Sequence, residues 1–157
     1  MSALELLPMC REQLPAVAEL GRQCFTLPWS EEGYRSLLDS PRAVCLTARA
    51  GDCLAGFLCG SALLDEAELE LLAVSQDFRR QGIGSRLAEE FLSQCRLRGV
   101  ELVRLEVRAS NLSAARLYER LGFEQEGLRK NYYRRPPEDA LLYLLRLAPT
   151  PPGTPAP

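Results

Sequence analysis

The chain has 157 residues, 46% hydrophobic and 25% charged, enough to close one core of ordinary size. A formal net charge of −2 argues against a broad basic face for phosphates, so no direct nucleic-acid binding is expected. Histidine is absent, which removes every Ser-His or Cys-His nucleophile and every His-ligated metal.

In chain order, residues 3–8 predict a first strand and 14–25 a helix with Pro15 in its first turn. Thr26-Leu27-Pro28-Trp29 breaks that helix, and Ser30 caps a second, with Glu31 and Glu32 at its positive end. Strands follow over 42–50, 53–64 and 66–74, the first two joined by Gly51-Asp52. In the third, Glu68 and Glu70 alternate with Leu69 and Leu71 at the period of two that marks a strand. From Gly82 the period lengthens. Ile83, Leu87, Phe91, Leu92 and Cys95 share one helical face, and Gly99 ends the helix. Residues 102–107 predict a strand, Asn111 opens a helix that Gly122 stops, and 123–133 and 140–147 are the last strands. Helices interleaved with strands imply crossovers. The expected fold is α/β, with about four helices on a mixed sheet of about seven strands.

Residues 1–147 are expected to form one domain, and 148–157, with five prolines, a disordered tail. The six cysteines show no metal-type spacing, and several sit in apolar runs where a free thiol behaves as a small hydrophobe. No signal peptide opens the chain and no apolar stretch suits a membrane, so a cytoplasmic location without metal or membrane partners is expected.

Two motifs carry chemistry. Arg79-Arg80-Gln81-Gly82-Ile83-Gly84-Ser85 follows a strand and opens a helix. Glycines there let successive N–H groups converge on one anion, and the helix dipole adds positive potential. It is neither a Walker A loop nor a GxGxxG turn, and a plain helix-starting turn is the competing reading. The second motif is Leu105-Glu106-Val107-Arg108-Ala109-Ser110-Asn111, leading into Ala114-Ala115-Arg116-Leu117-Tyr118. Asn111 and Tyr118 stand seven positions apart, roughly 10 Å along one helical face, so one face can meet a long ligand twice. Taken singly, Asn111 also reads as a cap, Tyr118 as core packing and Glu106 as a solvated strand residue.

Together, Arg79-x-x-Gly82-x-Gly84 and Asn111-x-x-Ala114-x-x-x-Tyr118, followed by Gly122-Phe123, resemble the acetyl-CoA motifs of the GNAT superfamily of N-acetyltransferases. The likeness covers residues 3–147. Pro28-Trp29-Ser30, the stretch 105–111, Arg129-Lys130-Asn131-Tyr132-Tyr133 and Glu138-Asp139-Ala140 are similar to its RimI-type group, which acetylates the N-terminal alanine of a ribosomal protein. Arg134-Arg135-Pro136-Pro137 departs from that pattern in a loop expected to wall the substrate groove.

The resemblance implies the GNAT fold and acetyl transfer from acetyl-CoA to a protein N-terminal α-amine. Arg80, Gln81, Gly82, Ile83, Gly84 and Ser85 would hold the pyrophosphate and Asn111 the pantetheine arm. A backbone N–H near Leu72, Ala73 or Val74 would hold the thioester oxygen. Without histidine, Glu106 is the expected base, directly or through water, with Glu70 next in line; Tyr118 is the expected acid. Trp29, Glu70, Tyr132 and Tyr133 are expected around the substrate, and the acids 65, 66, 68 and 70 to attract a basic N-terminal tail. An acetyl-cysteine route is disfavoured, because Cys59 and Cys95 lie in apolar contexts. Two alternatives stay open: a GNAT acting on a lysine side chain or small amine, and a non-catalytic acyl-CoA-binding module.

Overall fold

The computed structural model describes residues 3–134 and 136–148, so the expected tail falls almost wholly outside the described residues. Seven strands form one sheet: β1 (Leu4–Pro8), β2 (Ala43–Ala50), β3 (Cys53–Leu63), β4 (Glu66–Val74), β5 (Leu102–Arg108), β6 (Glu124–Arg134) and β7 (Pro137–Arg146). The spatial order is β1-β2-β3-β4-β5-β7-β6. Every pairing is antiparallel except β4 with β5. The described residues also form four helices: α1 (Leu14–Cys24), α2 (Glu31–Leu38), α3 (Ile83–Leu97) and α4 (Leu112–Arg120). The architecture is the expected mixed sheet with four helices. The short 3-10 turns at Arg11–Gln13 and Gln76–Phe78 are additions the periodicity could not signal.

Alternation along the strands sends apolar side chains to both faces, so the sheet is sandwiched between two helical layers. On one face, Val44, Leu46, Leu58, Leu69, Val103, Leu105 and Val107 pack with Leu87, Phe91 and Cys95 of α3 and Tyr118 of α4. On the other, Cys45, Phe57, Cys59 and Ala73 pack with Leu14, Val17 and Leu20 of α1 and Tyr34 of α2. Ser30 caps α2 as expected, its hydroxyl accepting the Gly33 N–H at 3.1 Å.

Strand β4 carries the feature that shapes the molecule. Cys59 pairs with Leu71 but Gly60 pairs with Leu69, so Glu70 is an extra residue, a β-bulge. Gly60 is required there, because a Cβ would strike the Phe91 ring and lie 2.9 Å from the Glu68 carbonyl oxygen. A bulge bends its strand. Beyond it, β4 leaves β5: their parallel pairing covers only Glu66↔Leu102, Ala67↔Val103 and Glu68↔Arg104. Among the described residues, the β5-facing edge of β4 has no strand partner from Leu69 to Val74.

The α1–α2 layer closes around Tyr34, whose hydroxyl is buried without a hydrogen-bond partner among the described residues. Burial pushes that hydroxyl up to about 12. It lies against Gly21 of α1, where an added Cβ would collide with the Tyr34 oxygen. Gly21→Ala is therefore expected to destabilise the fold by about 1–3 kcal/mol. Adding Tyr34→Phe should recover most of that loss, because it removes both the obstructing and the orphaned atom. Urea unfolding of the two variants checks this; an unchanged midpoint in Gly21→Ala refutes it.

Candidate active site

The parting of β4 from β5 opens a slot of about 600 Å³ through the sheet. Its walls are Leu69–Val74 on one side and Leu105–Arg108 on the other; Gly84, Asn111, Leu117 and Tyr118 line it from α3 and α4. Phe25, Thr26 and Leu27, between α1 and α2, and Tyr133 of β6 close the opposite mouth.

At the head of the slot the first motif forms a turn whose geometry suits an anion, a cradle of backbone N–H groups. Arg80 and Gly82 both have positive φ, 65° and 74°, and Gly82 caps the N-terminus of α3. Alternating left-handed residues turn successive N–H groups to one side, and the first-turn N–H groups of α3 have no intrahelical partner. Open space surrounds Gly82, whereas Gly84 lets Leu117 of α4 approach, a Cβ there lying 3.1 Å from its Cδ1. Arg79, which the sequence reading did not assign, anchors this turn: its Nε donates to the Val74 carbonyl at 3.3 Å.

Glu106 and Tyr118 reach the slot from opposite sides. Leu105 and Val107 face the α3–α4 core, so Glu106, between them, faces away from it with Arg104 and Arg108. Tyr118 belongs to the α3–α4 core and is 5% exposed. Burial raises its hydroxyl well above the ordinary tyrosine value, so it is protonated at neutral pH and can donate. Glu68 is also raised, by loss of solvent and then by the charge of Glu106; Glu70 is raised by loss of solvent and then by Glu68. Three carboxylates thus crowd one face, a setting that favours a cation among them.

The slot gathers Glu70, Leu72, Ala73, Val74, Gly84, Glu106, Asn111, Tyr118 and Tyr133 of the expected residues. Arg80, Gln81, Gly82 and Ser85 lie in the adjoining turn, while Ile83 is buried in the core beneath it. Asn111 does cap α4, its Oδ1 accepting the Ala114 N–H at 3.1 Å, while still lining the slot. Tyr132 is 44% exposed and does not line the slot; interaction with the Glu106 carboxylate raises its hydroxyl. Trp29 is not brought to the slot. Its ring centroid lies 5.3 Å from that of Tyr34, where it packs on the α1–α2 layer, and Leu27 takes the place at the mouth. Phe25, Leu27, Arg108 and Arg129 were missed. For Leu27 a signal existed, a large apolar residue beside a helix-breaking proline; for the arginines only strand register reveals the contact.

A second, polar trough of about 390 Å³ adjoins the slot, sharing Leu105 and Glu106 with it. Glu66, Glu68, Arg104, Glu126 and Arg129 line it. Arg104 is held by Glu66 at 3.1 Å and Glu126 at 3.4 Å. Among the described residues no group of side chains suits a metal ion, and no helix is long and apolar enough to cross a membrane.

A mixed sheet split between two parallel strands, with a glycine turn opening a helix at the head of the split, is the layout of an acyl-coenzyme A-dependent N-acyltransferase fold. The model of the acetyltransferase (GNAT) family matches residues 14–123, and the chain belongs to that family. It is 38% identical over 137 residues to the ribosomal protein bS18-alanine N-acetyltransferase of Salmonella typhimurium, covering 86% of this chain and 92% of the relative. Among solved structures, the ribosomal-protein-S18-alanine N-acetyltransferase of Escherichia coli superposes with a TM-score of 0.88 at 32% identity, over 97% of this chain and 99% of that one. Ard1 of Thermoplasma volcanium superposes with a TM-score of 0.87 at 28% identity, over 93% and 99%.

Gly82→Val should weaken acetyl-CoA binding at least about tenfold, because a β-branched residue resists positive φ and would break the cradle. Calorimetry on the folded variant measures this. Unchanged affinity would remove the cradle from the binding site.

Proposed function

We propose that the protein acetylates the N-terminal α-amine of a protein, with the N-terminal alanine of a small-subunit ribosomal protein as its target. Acetyl-CoA supplies the activated acetyl thioester. The observation that carries the reading is the convergence of Glu106 and Tyr118 on one slot from opposite faces of the sheet. Coenzyme and amine can then enter from opposite sides and meet in the split. The names of the relatives support the substrate class.

The residues present fit the coenzyme. The N–H groups around Arg80–Ser85 suit a pyrophosphate, and the unpaired edge of β4 offers N–H and C=O groups to an amide-bearing arm. Asn111 borders the same path. A β4 N–H near Leu72–Val74 would steady the developing oxyanion. An α-amine has a reference pKa near 8, so a large fraction is protonated at neutral pH and must lose a proton to attack. Glu106 accepts that proton, directly or through water, and Tyr118 donates one to the leaving thiolate. Cys59 and Cys95 are poor nucleophiles for a covalent route: burial pushes the Cys95 thiol up to about 12, and the hydrogen bond with Cys45, then burial, pushes Cys59 higher still.

With acetyl-CoA and an Ala-starting peptide, Glu106→Gln should lower kcat about 100-fold or more, with coenzyme affinity unchanged. Tyr118→Phe, which keeps the ring packed against Phe123, should lower kcat with little loss of stability. Mass spectrometry of the peptide reads both; wild-type rates in both variants would overturn the mechanism.

Glu68 and Glu70 give the substrate face a negative bias suited to a basic N-terminal tail. A peptide with arginines after its first residue should show a higher kcat/KM than its glutamine counterpart at low salt, less so at high salt. The preference should shrink in Glu68→Gln plus Glu70→Gln. Equal constants at low salt would show that these acids do not select the substrate.

A further inference from the structure

Glu106 is not left to solvent on the substrate face. Arg129 Nη1 stands 3.7 Å from its Oε1, and the nearby Tyr132 hydroxyl is raised chiefly by interaction with the Glu106 carboxylate. The two β6 residues support each other, the Arg129 guanidinium lying 5.4 Å from the centre of the Tyr132 ring. This contact depends on an irregular strand. Between Arg129 and Tyr133 the β6–β7 register shifts, and Asn131 has φ 54° with its N–H donating to Asp139 Oδ1 at 2.9 Å. The kink places residues 129 and 132 together over β5, where regular alternation would send them to opposite faces.

We propose that Arg129 is a positioning residue for the reaction: with Tyr132 beside it, it clamps the Glu106 carboxylate at the boundary between the slot and the polar trough. The inference rests on the reading of Glu106 as the base. Glu106 lines both cavities whereas Arg129 lines only the trough, so the ion pair holds the carboxylate from behind and leaves the slot side open to the amine. The clamp has work to do. From β4, Glu68 and Glu70 face the same region with like charge; from β5, Arg104 and Arg108 flank Glu106, and Leu142 of β7 is its uncharged register partner. Tyr133 of β6 and Tyr118 of α4 complete the surroundings. Arg104 is turned towards Glu66 and Glu126, and Arg108 is 3.3 Å from Glu138 and stacked 4.2 Å from the Tyr133 ring centre. Arg129 is the cation on β6 that counters the like charges beside Glu106.

The test is a carbon-13 NMR titration of glutamate carboxyls in the free enzyme, with Glu106 assigned from the signal lost in Glu106→Gln. In Arg129→Gln the Glu106 midpoint should rise by roughly 0.5–1 pH unit, a shift modest because the arginine is exposed. Arg129→Lys should restore most of it, and Tyr132→Phe should raise the midpoint on its own. For the Ala-starting peptide below neutral pH, Arg129→Gln should lower kcat about threefold to tenfold with the KM for acetyl-CoA unchanged. An unmoved midpoint in Arg129→Gln overturns the clamp and leaves the proposed function standing. Wild-type turnover in Glu106→Gln overturns the base and the clamp with it, so the two failures are told apart.

Discussion

The extra residue at Glu70 governs the rest of the molecule. A parallel pair that stayed hydrogen-bonded along its length would be a closed core, with no passage between its faces. The bulge turns β4 aside after three pairs, and the exposed backbone edge becomes the wall of the slot. Buried or semi-buried N–H and C=O groups without partners are costly. Past the bulge, only the backbone groups of β4 that turn away from β3 lack a strand to pair with, and an amide-bearing ligand is the kind of partner that suits them. Gly60 and Phe91 hold the geometry from below, so the opening is fixed by core packing rather than by a loop.

The same opening explains how chemistry is divided between elements. The α3–α4 side supplies a dry environment, and there a buried tyrosine keeps its proton. The α1–α2 side supplies a wet, charged one, and there carboxylates gather. A protonated tyrosine and a group of carboxylates are thus kept apart by the sheet itself and meet only where it is split.

Much of this was legible in the sequence because it is local. The period-two run from Glu66, the change of period at Gly82, the asparagine cap at 111 and the glycines at 82 and 122 each report a backbone event within a few residues. The motif spacing then placed Glu106, Asn111 and Tyr118 on one slot. What was not legible depends on register between distant strands. Nothing near Glu70 marks it as a bulge, since the compensating glycine lies on β3. Arg129 reaches Glu106 only through the shifted pairing of β6 with β7. Trp29 misled because an aromatic after a helix break suits a groove wall equally well, and the orphaned Tyr34 hydroxyl and the tight seat of Gly21 are invisible until α1 and α2 are docked.

The kink at Asn131 has a consequence for the protein as a solute. Strand β6 is one of the two edges of the sheet, eleven residues long and exposed along nearly its whole length. A straight edge of that size is a template on which another chain can add a strand. Here the left-handed residue interrupts the row of free N–H and C=O groups, and Glu124, Glu126, Arg129, Lys130 and Arg134 set both signs of charge along it. The distortion that brings Arg129 to the carboxylate at 106 also denies a neighbouring molecule a regular edge to extend, so straightening β6 would cost solubility.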